Sequence, residues 1–413
     1  MKNFTGFIIR QQRLSRGMSQ EDLCRGICAV SYLSKIEQGL GNPSPQILQQ
    51  LLEALDIHYN HDEDQLAEAQ SNLDSYFDKY FHSETAERET AYLKLHQQEM
   101  ENSELHLSWH LFQLYSLIQK YGKNAPVCHQ ELAYLARFEE YMETEQLFYY
   151  YTGAGLVESE EQLEYLRLAE TIRPSSFVKQ NIAEVYYTRH AYMDAIQAAD
   201  QAYRAAAEEG SLPILLWSSY LLGACYANFD DLSFMLRYYK RARELSRGYD
   251  ASIGSLINYQ IGSAYLEHAQ YREAIPYLLD SLSPRSASGD DQRFLTNQKL
   301  SVCYFEEGYA SLGLQYLQEA SDGRSERMPD LYDQLLYLTN LRYVQNARES
   351  AEYESVLKDI YNNCADILGD GYRRLLAEYL IQYYSSQRKY KEALIIKSEY
   401  GVPGAKNNPA SEK

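Results

Sequence analysis

The chain has 413 residues, 45% of them hydrophobic, and a formal net charge of -19, so it is too long for one small core and too acidic as a whole to coat nucleic acid. No apolar run of signal-peptide or membrane-spanning length interrupts it, which predicts a cytoplasmic protein without a membrane partner. Six cysteines lack CxxC or Cys/His spacing, which argues against a zinc framework and a disulfide scaffold, and no metal or other cofactor is expected.

The charge is unevenly divided. Residues 1–57 carry six Lys/Arg and five Asp/Glu, leaving a balance of -20 for the remainder. The pattern predicts a first helix over Phe4 to Arg16, with Phe7, Ile8 and Leu14 inward and Arg10 and Arg13 left for ion pairs or phosphates. Ser19 is a good N-cap for a short helix from about Gln20 to Arg25, and Gly26 ends it. A second short helix from about Ala29 to Glu37 turns Leu33 and Ile36 inward and leaves Ala29, Val30, Ser31, Tyr32, Ser34 and Lys35 facing out. Two short helices around a tight Gly turn read as helix-turn-helix. Small residues at the front of the second helix let its backbone sink into the major groove of double-stranded DNA. There Ser31, Tyr32 and Lys35 reach base edges or phosphates. Gln20, at the positive end of the preceding helix, is placed to meet a phosphate oxygen. Pro43-Ser44-Pro45 starts another helix, in which Ile47, Leu48, Leu51, Leu52 and Leu55 face the core. Because this head is nearly neutral, one copy gains little from counterion release, and useful affinity implies two copies on one operator.

The stretches RQQRLSRGMSQEDL, YLSKIEQG and NPSPQIL, within Phe4 to Ile57, resemble the XRE/Cro-like repressor helix-turn-helix. Within that family they resemble the form seen in Gram-positive peptide-pheromone receptors of the Rgg/PlcR/NprR/PrgX type, whose shorter turn the GIC of Gly26 to Cys28 matches. The resemblance implies that Arg13 of the first helix pairs with Glu37 at the end of the recognition helix.

The polar run His58 to Asp64 marks the edge of the head, placed at residues 1–60, and a linker helix is expected over 61–82. From there the pattern is helical without relief, and no sheet is expected. Helices are predicted over Leu93 to Met100, Leu105 to Tyr121 and Leu132 to Met142. Internal repetition follows. YMDAI, YREAI and YKEAL place Ala195, Ala274 and Ala393 at equivalent points, each three residues after Tyr192, Tyr271 or Tyr390. Met235 and Gly313 fall between them at spacings of 40 and 39. In the same register stand Ala183, Gly223, Gly262 and Ser301 upstream and Ala202, Ala242, Ser281 and Ala320 downstream, with Tyr186, Tyr226, Tyr265 and Tyr304 as wedges. Small residues recur where two helices touch closely. The pattern resembles the tetratricopeptide repeat with a lengthened loop, in an early copy, four clear copies to about Ala320, a degenerate copy around Leu341 to Ile360 and a last near Ile381 to Tyr400. Cys225 and Cys303 share a repeat position with Ala264 and read as packing. The fold class expected is therefore all-α: an XRE-type head followed by a right-handed tetratricopeptide superhelix over 83–400, with a disordered tail over 401–413.

Such repeats bind extended peptides on the wall built from the first helix of each pair. In this register the wall receives Gln180, Asn181, Glu184, Tyr187, Tyr220, Asn228, Tyr259, Glu267, Gln298, Glu306, Arg342 and Asn346. Asn and Gln both donate to and accept from a peptide backbone, Tyr supplies rigid contact area, and Arg342 suits a carboxylate. The resemblance implies that Asn181 holds the ligand backbone. It implies further a homodimeric or tetrameric regulator of transcription, switched by a short signalling peptide imported after secretion. Relatives with this array instead act on a phosphorelay response regulator, and Gln97 and Gln98 are the residues that would orient an attacking water in that alternative. A scaffold that localises a protein partner to DNA is the third reading.

Overall fold

The computed structural model describes residues 4–57, 62–101, 103–229, 231–282 and 290–400. The Phe7 side chain, His58, His61 and the tail over 401–413 lie outside the described residues. Among the described residues every regular element is a helix, and no helix is long and apolar enough to cross a membrane.

The head consists of α1 (Phe4–Ser15), α2 (Gln20–Cys24), α3 (Val30–Glu37) and α4 (Pro45–Ala54). Ser19 closes a capping box with Asp22 at the start of α2, and Ser44 caps α4 with Pro45 at its first position. Gly26, at φ 79°, makes the left-handed turn that lets α3 leave α2 so abruptly. Leu14 is not inward: it is 52% exposed, and Ile9 is buried. The reason is helical phase, because Gly6, Ile9 and Arg13 form the stripe that meets α3. A Cβ at Gly6 would sit 1.7 Å from the Ile36 carbonyl oxygen, so α1 lies on the end of α3 at a distance only glycine permits. Ile9, Leu23, Leu33, Ile36, Leu51, Leu52 and Leu55 make the core.

The chain divides into two compact units, residues 1–185 and 186–413. In the first, the head is followed by α5 (Glu63–Phe81), α6 (Glu87–Leu95), α7 (Gln97–Glu101), α8 (His106–Tyr121) and α9 (Pro126–Leu135). A 3-10 turn (Ala136–Tyr141), α10 (Thr144–Leu156), α11 (Gln162–Ile172) and α12 (Ser176–Thr188) complete it, the last crossing the boundary. The single helix expected over Leu93 to Met100 is broken at His96, and the one expected over Leu132 to Met142 begins at Pro126 and tightens after Leu135. Aromatic rings weld this unit: Phe77 stacks on Tyr149 at 3.9 Å and Arg173 lies 3.8 Å over Phe148.

The second unit holds α13 (Tyr192–Glu209), α14 (Leu212–Ala227), α15 (Leu232–Tyr249), α16 (Ala251–Glu267), α17 (Tyr271–Ser281), α18 (Asp290–Glu306) and α19 (Ala310–Asp322) as successive antiparallel hairpins. The small-residue register is buried throughout: Ala195, Ala202, Ala242, Ala274 and Ala320 are all sealed. A Cβ on Gly262 would lie 2.7 Å from Leu278 Cγ, and Ser301 Oγ donates to the Gly313 carbonyl at 2.8 Å. Tyr226 stacks on Tyr238, Tyr265 on Tyr277 and Tyr304 on Tyr316, the same wedge in three hairpins. Then the repeat degenerates. After α20 (Leu331–Thr339) the helix widens into a π turn over Asn340–Val344, and Asn340 stands where the preceding repeats carry Gly223, Gly262 and Ser301. Three further helices, α21 (Ala351–Asn363), α22 (Ala365–Ser386) and α23 (Tyr390–Tyr400), end the described chain. Of the six cysteines, all but the half-buried Cys28 are buried and none is in a disulfide.

Candidate functional site

The head holds α3 from behind. Arg13 Nε donates to Glu37 Oε1 at 2.7 Å and its Nη2 to Oε2 at 2.9 Å, a two-pronged pair whose partners are 7% and 3% exposed. The hydrogen bond to Glu37 raises the Arg13 pKa further above its ordinary value. Gln20 Nε2 also donates to Glu37 Oε2, at 2.7 Å, so the amide expected to meet a phosphate is engaged inside the protein. Arg13 Nη1 reaches the Met18 carbonyl and fixes the lead into α2. Ala29, Val30, Ser31 and Lys35 are exposed along the front of α3. Tyr32 and Ser34 are half-buried: the Tyr32 hydroxyl donates to the Asn42 carbonyl at 3.1 Å, and Ser34 Oγ accepts from Gln38. The face is thus a small-residue entry with Ser31 and Lys35 projecting, carried by a helix whose far end is clamped.

The expected ligand wall divides between the two compact units. In the first, Gln180 and Asn181 are buried and Asn181 Nδ2 donates to the Phe177 carbonyl at 2.8 Å, while Glu184 pairs with Lys123. In the second, Tyr187, Tyr220, Asn228, Tyr259 and Glu267 are half-buried. Asn228 Nδ2 donates to the Ala224 carbonyl, and Tyr220 accepts from Gln260 at 3.3 Å. Asn346 is exposed, in a left-handed turn at φ 51° after the π turn. Gln298, Glu306 and Arg342 fall together into one network centred on α22. Gln298 Nε2 donates to Thr339 Oγ1 at 3.0 Å and its Oε1 accepts from the Tyr372 hydroxyl. Arg342, 5% exposed, donates to the Tyr353 hydroxyl and to Gln382 Oε1, pairs with Glu306 at 3.4 Å and lies 3.7 Å over the Tyr379 ring. Arg374 of α22 also donates to the Ala227 carbonyl at the end of α14.

Sequence reasoning missed Lys299, Tyr372 and Tyr379 in this network. For Lys299 the signal was present, since it stands 39 residues after Gln260 in the same register. For α22 no local signal exists, because Tyr372 meets Gln298 across 74 residues. Gln97 and Gln98 are exposed on α7, where Gln97 Nε2 donates to Glu101 Oε1 at 2.9 Å. Among the described residues no cluster of His, Cys, Asp and Glu could hold a metal ion.

Residues 9–60 match the helix-turn-helix family HTH_3. The chain is 26% identical, over 89% of its length and 95% of the relative's, to the transcriptional activator NprA of Geobacillus stearothermophilus. The apo form of the quorum sensor NprR from B. thuringiensis superposes with a TM-score of 0.60 at 17% identity, covering 81% of this chain and 98% of that one. NprR in complex with its cognate peptide NprX superposes with a TM-score of 0.51, also at 17% identity, covering 82% and 99%. Residues 9–60 thus carry a helix-turn-helix of the HTH_3 family, and most of the chain is similar to a transcriptional activator and shares its fold with the quorum sensor NprR.

Proposed function

We propose that this chain is a cytoplasmic regulator that binds an operator as a homodimer, or as a tetramer of two such pairs, and is switched by a short signalling peptide on its repeats. The observation that carries the DNA half is the clamp of Arg13 and Gln20 on Glu37, with Ser31 and Lys35 exposed on the face opposite to it. A recognition helix must hold its register to within a base step, and a buried two-pronged pair supplies that stiffness without using any outward residue. The peptide half is supported by the fold shared with NprR, which has been seen with NprX bound. Peptide occupancy acts by changing how two copies pair, because half-sites about one helical turn apart tolerate little change in head spacing.

The operator is selected from random-sequence duplex DNA with the purified chain. The probes for the switch are synthetic heptapeptides copied from the C-termini of short secreted precursors encoded beside the gene. A peptide that changes operator affinity or oligomeric state is the expected result. Peptides that bind without altering either overturn the mechanism. The same preparation incubated with a phosphorylated response regulator leaves the phosphate lifetime unchanged if the chain acts by binding alone; a shortened lifetime would assign the work to Gln97 and Gln98 instead.

A further inference from the structure

Lys299 is 3% exposed, in the middle of α18, and among the described residues no carboxylate lies within ion-pairing distance of its ammonium. Its Nζ donates to Ser263 Oγ at 2.5 Å and sits between two rings, 4.4 Å from the centre of Tyr259 and 5.2 Å from that of Tyr372. Buried ammonium groups are ordinarily matched by a carboxylate, because ring faces return only part of the lost hydration. The repeat array itself supplies the control. The same register position is Asn181 in α12, Leu221 in α14 and Gln260 in α16, and Gln260 there donates to the Tyr220 hydroxyl just as Lys299 faces Tyr259. A neutral side chain therefore satisfies the packing at this place in three hairpins, and only α18 introduces a charge.

We propose that Lys299 is the anchor for a carboxylate of the ligand, and that Tyr372 of α22 caps this anchor until the ligand displaces it. The inference rests on the repeats taking a ligand, and it adds the ligand's anionic group and the competitor it meets. Gln298 sets the cap, since its Oε1 accepts from the Tyr372 hydroxyl while its Nε2 is held by Thr339. Lys299 is all but closed to solvent with the Tyr372 ring 5.2 Å from its ammonium, so a ligand carboxylate reaches it as that ring leaves. The carboxylate is the peptide's own C-terminus or an acidic side chain, two sources of one chemistry. Ligand binding is then an exchange of one ring contact for one ion pair on an otherwise unchanged wall.

The test uses the full chain as wild type, Lys299→Gln and Tyr372→Ala. Lys299→Gln places in α18 the residue that α16 already carries, and so keeps the packing. Two minimal probes, N-acetylglycine and its uncharged amide N-acetylglycinamide, are titrated by calorimetry. The acid is expected to bind wild type about tenfold or more tightly than the amide, Tyr372→Ala to bind the acid more tightly still, and Lys299→Gln to lose the difference. Equal binding of acid and amide by the wild type, or an acid preference that survives in Lys299→Gln, overturns the proposal. If Tyr372→Ala does not fold, the comparison of wild type with Lys299→Gln still decides it. A heptapeptide library in free-acid and amidated forms, with and without Asp, then identifies the source of the carboxylate. An acid-specific response at Lys299 with no library peptide retained would sink the peptide reading and leave the anchor. Peptides retained equally by wild type and Lys299→Gln would do the reverse.

Discussion

The head and the second compact unit treat their polar residues in opposite ways. On α3 the expected contacts Ser31 and Lys35 face solvent while the supporting pair, Arg13 and Glu37, is buried behind them. On the repeat wall Gln298 and Arg342, expected to face a ligand, are themselves buried, tied to Tyr372, Tyr379 and Gln382 of α22. A reader of duplex DNA meets a preformed groove, so its contact residues can wait exposed on a rigid helix. A receptor that must change state on binding does better with a wall already filled, because the ligand then has something to displace.

Three experiments break or sharpen that contrast. The largest effect belongs to the hidden support of the head: Arg13→Met leaves the Glu37 carboxylate buried without its cation and should cost about 3–5 kcal/mol, read by chemical unfolding together with loss of operator binding. A smaller one tests the repeat spine. Gly262→Ala drives a methyl to within 2.7 Å of Leu278 Cγ and should destabilise by about 1–3 kcal/mol in thermal unfolding, with the head's stability unaltered. The smallest in stability tests the exposed face: Lys35→Ala should change unfolding by less than about 0.5 kcal/mol, yet weaken operator binding and lower its salt dependence by about one counterion. A Lys35→Ala protein with an undiminished salt slope would show that α3 does not lie in the groove as drawn.

The helical class, the caps at Ser19 and Ser44 and the positions of the small residues were legible because each depends on residues within four places of one another or on a repeat of fixed spacing. Leu14 was misjudged because an apolar residue in a short amphipathic helix does not reveal its phase; the glycine at position 6, which brings α1 onto the Ile36 carbonyl, set it. The wall was half legible. Register placed Gln298 on α18 and Arg342 in the turn after α20, but exposure there depends on what crosses them, and α22 comes from far along the chain.

From its residues alone the chain declared helices, a turn with a recognition face, and a ladder of close contacts, since propensity, capping and periodicity act locally and need no partner. The third dimension decided which of the polar side chains stay exposed and which are buried. It turned Gln20 inward to Glu37 and laid Tyr372 over Lys299, because burial is set by whichever segment arrives from a distance, and no spacing along the chain encodes that arrival.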